Sequence, residues 1–274
     1  MVAGGKDRTV PYQENGALLE AAYQRAGIPF EVLHSHTTAD APETVRFVRQ
    51  EFKRLEDMGI KCHIQMPTYK GKSVSMWTLI PQKLIPPTRL VRYCCSILKE
   101  TGGAGRFIST GVRWEESISR ESRGIYEKIG STKKNKIILN NDNDDRRLLF
   151  EACRLKSKRT VNPIIDWSKD EVWDFIEDAK VPYNPLYCEG FERVGCVGCP
   201  MAGKKRQTQF ARWPKYEKMY LLAFDRMLKE RKRRDLITEW QTPRDVFNWW
   251  MEFDVLPGQI DLEEYLEETL EEEI

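Results

Sequence analysis

The stretch IPFEVLHSHTTADAPETVRFVRQEFKRLEDMGIKCHIQMP, residues 28–67, contains three predicted elements in succession. Residues 28–36 are an apolar run that ends in polar residues, which is typical of a buried strand. Residues 41–59 have a proline near the first turn and then apolar side chains three or four positions apart, so they predict an amphipathic helix. Residues 61–67 predict a second, short strand. This succession is the unit from which parallel sheets are built.

The same alternation continues along the chain. Residues 105–114 predict another strand, which ends in a glycine turn, and residues 168–179 predict a helix. Ser168 and Glu171 form the pattern of a capping box at the start of that helix. The predicted fold class is therefore α/β, with a mainly parallel twisted sheet flanked by helices. In such a sheet, a ligand binds at the carboxyl ends of the strands.

Two regions depart from this alternation. Residues 126–147 are polar and rich in asparagine and aspartate, so they predict an exposed loop. The chain becomes helical from about residue 206, which predicts a sheet domain over 1–205 and a helical C-terminal extension over 206–274. The aromatic residues expected to pack the end of the chain are Trp240, Phe247, Trp249 and Trp250.

The composition predicts a protein of the reducing cytoplasm. The chain has 274 residues, 41% of them hydrophobic and 31% charged, which are ordinary values for a globular protein. No apolar run reaches the roughly 18 residues of a membrane helix, and the first residues lack the apolar segment of a signal peptide. Seven cysteines in a reducing compartment are not expected to form a disulfide framework, so clustered cysteines indicate metal binding or catalysis.

The net charge of +2 conceals an uneven distribution of charge. Residues 203–234 are strongly basic and include the run KERKRR at 229–234, whereas the residues after Asp254 are almost purely acidic. One interpretation is that both blocks are solvated helix faces. The other is that 203–234 contacts an anionic partner such as RNA or DNA.

Polar residues at the predicted strand ends are candidates for binding an anionic ligand. The segment AGGKD at 3–7 combines glycines with a lysine, so backbone N–H groups and an ammonium could hold phosphate there. The residues after the strands at 28–36 and 105–114 would bring hydroxyl, carboxylate and guanidinium groups to the same edge. Guanidinium groups suit phosphate or sulfate because they bind its oxygens bidentately. The candidates are Gly4, Gly5, Lys6, Asp7, Ser35, Thr37, Asp40, Gly111, Arg113, Glu116, Ser117 and Arg120.

The cysteines form two tight pairs in the sequence. Cys94 and Cys95 are adjacent, and Cys196 and Cys199 form a CxxC about 100 residues later. Four thiolates in two pairs could hold zinc or an iron–sulfur cluster, whereas a redox dithiol would leave the first pair without a role. The glycines at 195 and 198 would let the backbone wrap closely around a cluster. The remaining cysteines comprise Cys62 and Cys153, interpreted as buried structural residues, and Cys188, interpreted as a further ligand, a nucleophile or a packing residue.

Five motifs occur in a fixed order along the chain. They are YCCSILKE at 93–100, TGVRWEES at 110–117, NPIIDWSKDEVWDFI at 162–176, VPYNPLY at 181–187 and VGCVGCP at 194–200. In order and approximate spacing they resemble the phosphoadenosine phosphosulfate (PAPS) reductase family. The resemblance covers roughly residues 26–215 and is most specific in the CC with a distant CxxC.

The resemblance implies a fold, a cofactor and partners. The family belongs to the adenine-nucleotide alpha-hydrolase-like superfamily, together with the ATP pyrophosphatases, so it implies binding of an adenine nucleotide, either ATP or adenosine phosphosulfate. Members with this cysteine set resemble the branch that reduces adenosine phosphosulfate (APS) and the DNA phosphorothioation sulfurtransferases. In them the four cysteines bind a 4Fe-4S cluster, which implies Cys94, Cys95, Cys196 and Cys199 as ligands here. A sulfur donor or thioredoxin is the implied protein partner.

Two features differ from the family pattern. The pyrophosphate loop of the family reads Ser-Gly-Gly-Lys-Asp-Ser after an apolar strand, but here Ala3 and Arg8 replace the serines and nothing before Val2 can form that strand. The family's reductases also carry a nucleophilic cysteine in a C-terminal tail, and no cysteine follows Cys199 in this sequence. These differences make Cys188 the candidate for the nucleophile.

Three functions remain open on the sequence alone. The first is nucleotide-activated sulfur transfer, in which Lys6, Arg113 and Arg120 stabilise phosphate charge. The second is a PAPS or APS reductase proper, which releases sulfite with a thiol donor. The third is a catalytically inactive accessory subunit that binds a nucleotide or a nucleic acid, which the altered loop at 3–8 favours.

Overall fold

A six-stranded sheet is the main β element of the protein. The computed structural model describes residues 2–4, 19, 21–27, 29–99, 107–116, 118–121, 123–129 and 158–252. In chain order, the strands are β1 (Val2–Gly4), β2 (Glu31–Ser35), β3 (Lys61–Gln65), β4 (Thr68–Tyr69), β5 (Lys72–Ser73), β6 (Phe107–Ser109), β7 (Tyr126–Ile129) and β8 (Lys158–Val161).

The strand order of the sheet is β3-β2-β1-β6-β8-β7, and β4 and β5 form a separate hairpin. All neighbouring strands of the sheet are parallel except β7, which is antiparallel to β8. The chain proceeds outward from β1 through β2 to β3, and later in the opposite direction through β6 to β8. The order therefore reverses between β1 and β6, and open α/β sheets bind ligands outside the carboxyl ends of the strands at such a switch point.

Helices surround the sheet and continue after it. The helix over Pro42–Asp57 begins with a proline that fits the first turn, and it buries Val48, Phe52 and Leu55 against Val32 of β2. Residues 21–25 are also helical. The α-helices with described bounds are α1 (Pro42–Asp57), α2 (Met76–Lys83), α3 (Ile118–Glu121), α4 (Lys169–Asp178), α5 (Lys205–Arg212), α6 (Pro214–Arg233) and α7 (Pro243–Glu252).

The predictions for residues 28–67 are confirmed, with shorter elements. The strand predicted over 28–36 is β2, the helix predicted over 41–59 is α1, and the strand predicted over 61–67 is β3. The helix predicted over 168–179 is α4, and Ser168 and Glu171 make both hydrogen bonds of the capping box.

The strands differ in detail from the expectations. Of the strand predicted over 105–114, Phe107–Ser109 form β6 and residues 110–114 lie outside any strand, while 105–106 lie outside the described residues. Residues 126–147 were expected to form a loop, but Tyr126–Ile129 pair with β8 as an edge strand, while 130–147 lie outside the described residues. No residue before Val2 was expected to form the strand that precedes the family's loop, and the strand that pairs with β2 is Val2–Gly4, which overlaps the glycine-rich segment.

Helix α2 had no predicted counterpart. It contains Pro81, which removes one backbone donor and normally argues against a helix interior. A capping box between Ser75 and Thr78 begins the helix, and Leu84 in the left-handed region ends it. Met76, Leu79 and Ile80 are buried against the C-terminal helices, so tertiary packing compensates for the unfavourable residue.

The largest core joins the C-terminal helices to the cysteines. Trp250 and Phe247 of α7 are buried against Tyr220 and Phe224 of α6. Trp240 and Trp249 meet edge to face, with 4.9 Å between their ring centroids. The same cluster of buried residues includes Cys94 and Cys196. The C-terminal aromatic residues therefore form a wall beside two of the predicted ligands.

Among the described helices, none is long and apolar enough to cross a lipid bilayer.

Gly198 tests how tightly this aromatic wall is packed. Its φ is +74°, and a Cβ at this position would lie 2.7 Å from Phe210, 2.9 Å from Tyr220 and 3.0 Å from Trp250. We expect Gly198→Ala to lower the free energy of unfolding by about 2–4 kcal/mol, because it adds backbone strain to overpacking. Chemical denaturation followed by circular dichroism measures the loss.

Gly195→Ala is the matched control, since nothing lies within 4 Å of a Cβ there. Equal unfolding free energies for the two variants would contradict the packing described for Gly198.

Candidate functional site

The four predicted cysteine ligands come from two short irregular segments. Cys94 and Cys95 lie at the start of a π-helical turn, Cys95–Lys99, of the kind often found at functional sites. Cys196 and Cys199 lie in a turn closed by a hydrogen bond from the Cys199 N–H to the Cys196 carbonyl, at 3.2 Å. All four interact electrostatically in one group, so the structure brings both pairs together.

Two thiols of this group, those of Cys94 and Cys196, are difficult to ionise in a protein-only environment. A hydrogen bond with Cys95, together with burial, raises the pKa of the Cys94 thiol well above its usual range. Burial raises the pKa of Cys196 to about 12. Four neighbouring thiolates would also repel one another, so ionisation of the whole group requires positive charge close to the sulfurs.

Lys99 supplies one such charge, and the sequence analysis missed it. Burial alone would lower the pKa of Lys99, but Cys196, Cys95 and Asp40 outweigh that effect and raise its pKa. Lys99 in turn opposes the rise in the pKa of Cys196. The sequence does contain a signal for Lys99. It lies four positions after Cys95, and residues four apart lie on the same face of a helical turn.

Three further metal-ligating side chains lie beside the cysteines, since Asp40 pairs with Cys196 through a β-bridge. One ligand atom from each of His34, His36 and Asp40 can be chosen so that all three lie within 4.8 Å of one another. The four cysteines themselves offer the thiolate ligands that both structural zinc sites and iron–sulfur clusters use.

The backbone joins the cysteines to the carboxyl end of β2. Asp40 and Cys196 form an isolated β-bridge, and the Val197 N–H donates to the Ala39 carbonyl at 2.8 Å. The Cys196 thiol donates to Thr37 Oγ1 at 3.3 Å. The turn that carries the CxxC thus lies directly against the loop that follows β2.

That loop holds three of the predicted ligand-binding residues in a fixed arrangement. Ser35, Thr37 and Asp40 are all buried. The Thr37 N–H donates to Asp40 Oδ2 at 2.9 Å, and the Ala39 N–H donates to Thr37 Oγ1 at 3.2 Å. These bonds orient the carboxylate and the hydroxyl at the strand end. The side chains are therefore preorganised.

The end of β6 presents a second group of predicted residues. Gly111 and Arg113 are buried just after the strand, on the other side of the switch point. Arg113 Nη1 donates to Glu115 Oε2 at 2.9 Å and to the Trp167 carbonyl at 3.2 Å. Glu116 pairs with Arg113 at 3.7 Å and also pairs with Arg120. Both predicted guanidiniums thus contact carboxylates of this chain.

Some predicted residues lie beyond what the structure describes. Gly4 ends β1 at the carboxyl edge, beside β2 and β6, as expected of the start of a phosphate loop. Its successors Gly5, Lys6 and Asp7 lie outside the described residues, as does Ser117.

Cys188 lies apart from the group of four cysteines. It is exposed and follows the 3₁₀ turn Pro185–Tyr187. Its thiol lies 3.7 Å from the Tyr183 hydroxyl, and the hydrogen bond between them raises the pKa of Tyr183. An exposed thiol is accessible to a second protein or a small thiol, which suits a nucleophile better than a cluster ligand.

The two glycines of the CxxC turn have different roles. Gly198 has a positive φ and faces the aromatic rings of the core, whereas a Cβ on Gly195 would meet open space. The expectation that both glycines permit a close approach to a cluster stays a prediction, and the open space beside Gly195 is compatible with it. Gly198 is required by the turn and by Phe210 behind it.

The fold and these strand-end groups define an α/β protein with polar side chains at the switch point of its sheet and a cysteine group beside the end of β2. The chain belongs to the phosphoadenosine phosphosulfate reductase domain family, whose sequence pattern matches residues 2–202. This confirms the resemblance seen in the sequence motifs.

Individual proteins similar to this chain include archaeal, bacterial and fungal examples. An uncharacterised protein of Methanocaldococcus jannaschii is 28% identical over 207 residues, which cover 73% of this chain and 40% of that protein. An adenosine 5'-phosphosulfate reductase of Neisseria meningitidis is 53% identical over 114 residues, which cover 39% of this chain and 36% of the reductase. The chain thus spans roughly two fifths of the length of these curated relatives. A crystal structure of the PAPS reductase from Candida auris with phosphate aligns with a TM-score of 0.44 and 16% identity, covering 71% of this chain and 80% of the other.

His34 predicts a pH dependence of stability. Burial lowers the pKa of His34 from 6.5 to about 4. Between these values the unfolded chain binds a proton that the folded protein does not, so stability falls as the pH drops from 6.5 towards 4. The loss attributable to His34 reaches about 3 kcal/mol. Urea unfolding in the presence of a metal chelator, at a series of pH values, measures it.

The matched variants are His34→Gln and His63→Gln. His63 is exposed on β3, so its replacement is expected to leave the pH dependence unchanged, whereas His34→Gln is expected to flatten it. The account is wrong if both variants keep the full slope.

Proposed function

We propose that this protein binds an adenine nucleotide, ATP or adenosine phosphosulfate, at the carboxyl edge of its sheet and holds a 4Fe-4S cluster on Cys94, Cys95, Cys196 and Cys199. It uses the two together in nucleotide-activated sulfur transfer. The observation that carries the proposal is the backbone pairing of Asp40 with Cys196, which puts the cysteine group against the strand-end loop where a nucleotide would bind.

The residues present fit a 4Fe-4S cluster in two respects. Thiolates are the usual ligands of such clusters, and four of them converge here from two segments. The buried Lys99 offsets the negative charge that a thiolate-bound cluster would bring. A reducing cytoplasm would keep the unbound thiols available.

When bound, the cluster would supply a polarisable charged group beside the nucleotide. The chain's own residues would do the binding and orientation. We assign phosphate binding to the segment from Gly4 to Asp7, where Lys6 adds a positive charge to the backbone donors. Ser35, Thr37 and Asp40 would contact the nucleotide from β2.

Arg113 and Arg120 would contact the transferring phosphate or sulfate from the other side of the switch point. Both are paired with Glu116 here, so an incoming anion would have to compete with that carboxylate. We assign to Glu116 the role of holding the guanidiniums in place before the nucleotide arrives. Gly111, which lies just before them, would permit close approach of the backbone.

The sulfur-transfer reaction can be written without an external oxidant or reductant. An oxygen atom of the acceptor attacks the α-phosphorus of ATP, and pyrophosphate leaves. A hydrosulfide then forms a bond to the activated carbon of the acceptor, and AMP leaves with the oxygen. Arg113 and Lys6 would stabilise the charge that develops on the phosphate oxygens.

A second candidate is reduction of adenosine phosphosulfate, favoured by the reductases among the similar proteins. The Cys188 thiolate would attack the sulfur, displacing AMP and forming a thiosulfonate. One thiol of thioredoxin would then attack Cys188 Sγ, which releases sulfite and forms a mixed disulfide between the two proteins. The second thiol of thioredoxin would attack this mixed disulfide, which frees the Cys188 thiol and leaves thioredoxin oxidised. The exposure of Cys188 supports access by such a partner.

A nucleic-acid acceptor would contact the basic segment at 203–234. Arg231 donates to the carbonyls of Leu84 and Ile237, at 2.7 and 2.6 Å, so it belongs to the fold. Three exposed lysines of α6 are better placed to reach phosphates. They are Lys215, Lys218 and Lys232.

Replacing these three lysines by glutamine should weaken binding of single-stranded RNA or DNA and reduce its salt dependence, because each phosphate contact releases counterions. Filter binding at several salt concentrations measures both quantities. A triple variant with unchanged affinity and salt slope would remove the nucleic-acid contact from the proposal.

The cluster assignment predicts the colour of anaerobically purified protein. We expect a brown preparation that absorbs at about 400 nm, since thiolate-bound iron–sulfur clusters absorb there. Cys94→Ser and Cys196→Ser should lose this band. Cys62→Ser should keep it, because Cys62 lies on β3 away from the group. A colourless protein containing stoichiometric zinc would contradict the assignment.

Product analysis with Cys188→Ser separates the two reactions. Sulfur transfer predicts pyrophosphate release from ATP when an acceptor nucleic acid is present, and this release should survive the substitution. Reduction predicts sulfite release from adenosine phosphosulfate with thioredoxin, and this should be abolished. Cys62→Ser is the control for both assays. If protein that contains its cluster releases neither pyrophosphate nor sulfite, both candidates are contradicted.

A further inference from the structure

A second cluster of metal-ligating side chains lies beside the cysteines. We propose that His34, His36 and Asp40 bind a divalent cation of the zinc type, at a site distinct from the one formed by the four cysteines. The site shares Asp40 with the residues proposed above to contact the nucleotide, but metal binding requires neither the nucleotide nor the iron–sulfur cluster, so it can be tested separately from the proposed function.

The geometry of the three side chains suits a common ion. One ligand atom from each of the three residues can be chosen so that all lie within 4.8 Å of one another. His34 and His36 are two positions apart at the end of β2, so their side chains project to the same side of the sheet. Asp40 returns to that side after the turn, with Oδ2 3.4 Å from His36 Nδ1.

Neighbouring groups hold the ligands in orientation. The Thr37 N–H donates to Asp40 Oδ2 at 2.9 Å, which fixes the carboxylate. The ring of Phe52 from α1 meets the His34 ring edge to face, with centroids 6.4 Å apart. Thr38, at the tip of the turn, has a φ of 65° and accepts a hydrogen bond from the Met76 N–H through Oγ1, at 2.8 Å. Such supporting contacts are what metal ligands normally have.

The donor set selects the class of ion. Two imidazoles and one carboxylate are the ligands that zinc and similar divalent transition metals take in catalytic sites, where a fourth position stays open. Calcium and magnesium prefer oxygen ligands throughout, so two imidazoles disfavour them. The fourth position here would accept a water molecule or an oxygen of an anion bound at the strand ends.

Lys99 is the competing cation at this site. It interacts with Asp40, but Cys196 and Cys95 contribute more to the stabilisation of its charge than Asp40 does. An ion pair between His36 and Asp40, without any metal, is the simpler explanation of their short distance. The two accounts differ in a measurable way, since a bound metal ion would contact the His34 and His36 imidazoles at the same time, whereas the ion pair contacts only that of His36.

The chain is well suited to a direct test because it contains only three histidines. The third histidine is His63, whose Nε2 lies 3.5 Å from Glu31 Oε2. This pair of a histidine and a carboxylate is more exposed than the pair of His36 and Asp40, and it serves as the control. In protein labelled with nitrogen-15 at the histidines, each imidazole gives its own NMR signals. Zinc that enters the cysteine group contacts no imidazole.

We expect titration of the full, untagged chain with Zn²⁺ to shift the signals of His34 and His36 together and to leave those of His63 unchanged. Asp40→Asn should weaken this transition at least about tenfold, as loss of a ligand does, and Glu31→Gln should not. His36→Gln is the second variant, should Asp40→Asn disturb the loop. Shifts of His63 alone, shifts of His36 without His34, or no shift at millimolar Zn²⁺ would overturn the proposal.

Discussion

The pairing of the loop after β2 with the CxxC turn is the contact on which the rest of this site depends. One backbone hydrogen bond joins Val197 to Ala39, and the adjacent β-bridge joins Cys196 to Asp40. The loop belongs to the first part of the sheet and the turn to the segment that leads into the C-terminal helices. Because this pairing is made by the backbone, it fixes the position of Cys196 relative to Thr37 independently of side-chain rotamers.

Burial of ionisable groups explains why the C-terminal helices matter for this site. Tyr220 and Trp250 close the cysteine group from one side, and burial raises the pKa of both Cys196 and Tyr220. A dry environment makes charge expensive unless it is matched, so the four thiols, Lys99 and Asp40 must be considered as one electrostatic unit. The aromatic helices therefore contribute to the chemistry without containing any of the proposed ligands.

Local signals in the sequence predicted local structure well. The period of α1, its N-terminal proline and the capping box at Ser168 depend on neighbours within a few positions, and all three are present. Elements that depend on distant partners were missed. Tyr126–Ile129 pair only because β8 lies beside them, and α2 tolerates Pro81 because the C-terminal helices cover it. The four cysteines could be grouped from their spacing and the family motifs. The spacing of Lys99 from Cys95 could place the two side chains near each other, but the effect of Lys99 on Cys196 could not be predicted, because it arises from burial beside a sulfur that is remote in the sequence.

The central claim is that a cluster on the four cysteines and a nucleotide on the sheet edge occupy adjoining sites. Iron and acid-labile sulfide analysis combined with Mössbauer spectroscopy tests it most directly, on anaerobically purified protein with and without adenosine phosphosulfate or ATP. The account predicts about four irons and four sulfides per chain and a spectrum that changes when the nucleotide binds. Zinc without sulfide, or a cluster whose spectrum is indifferent to a nucleotide that demonstrably binds, would contradict it.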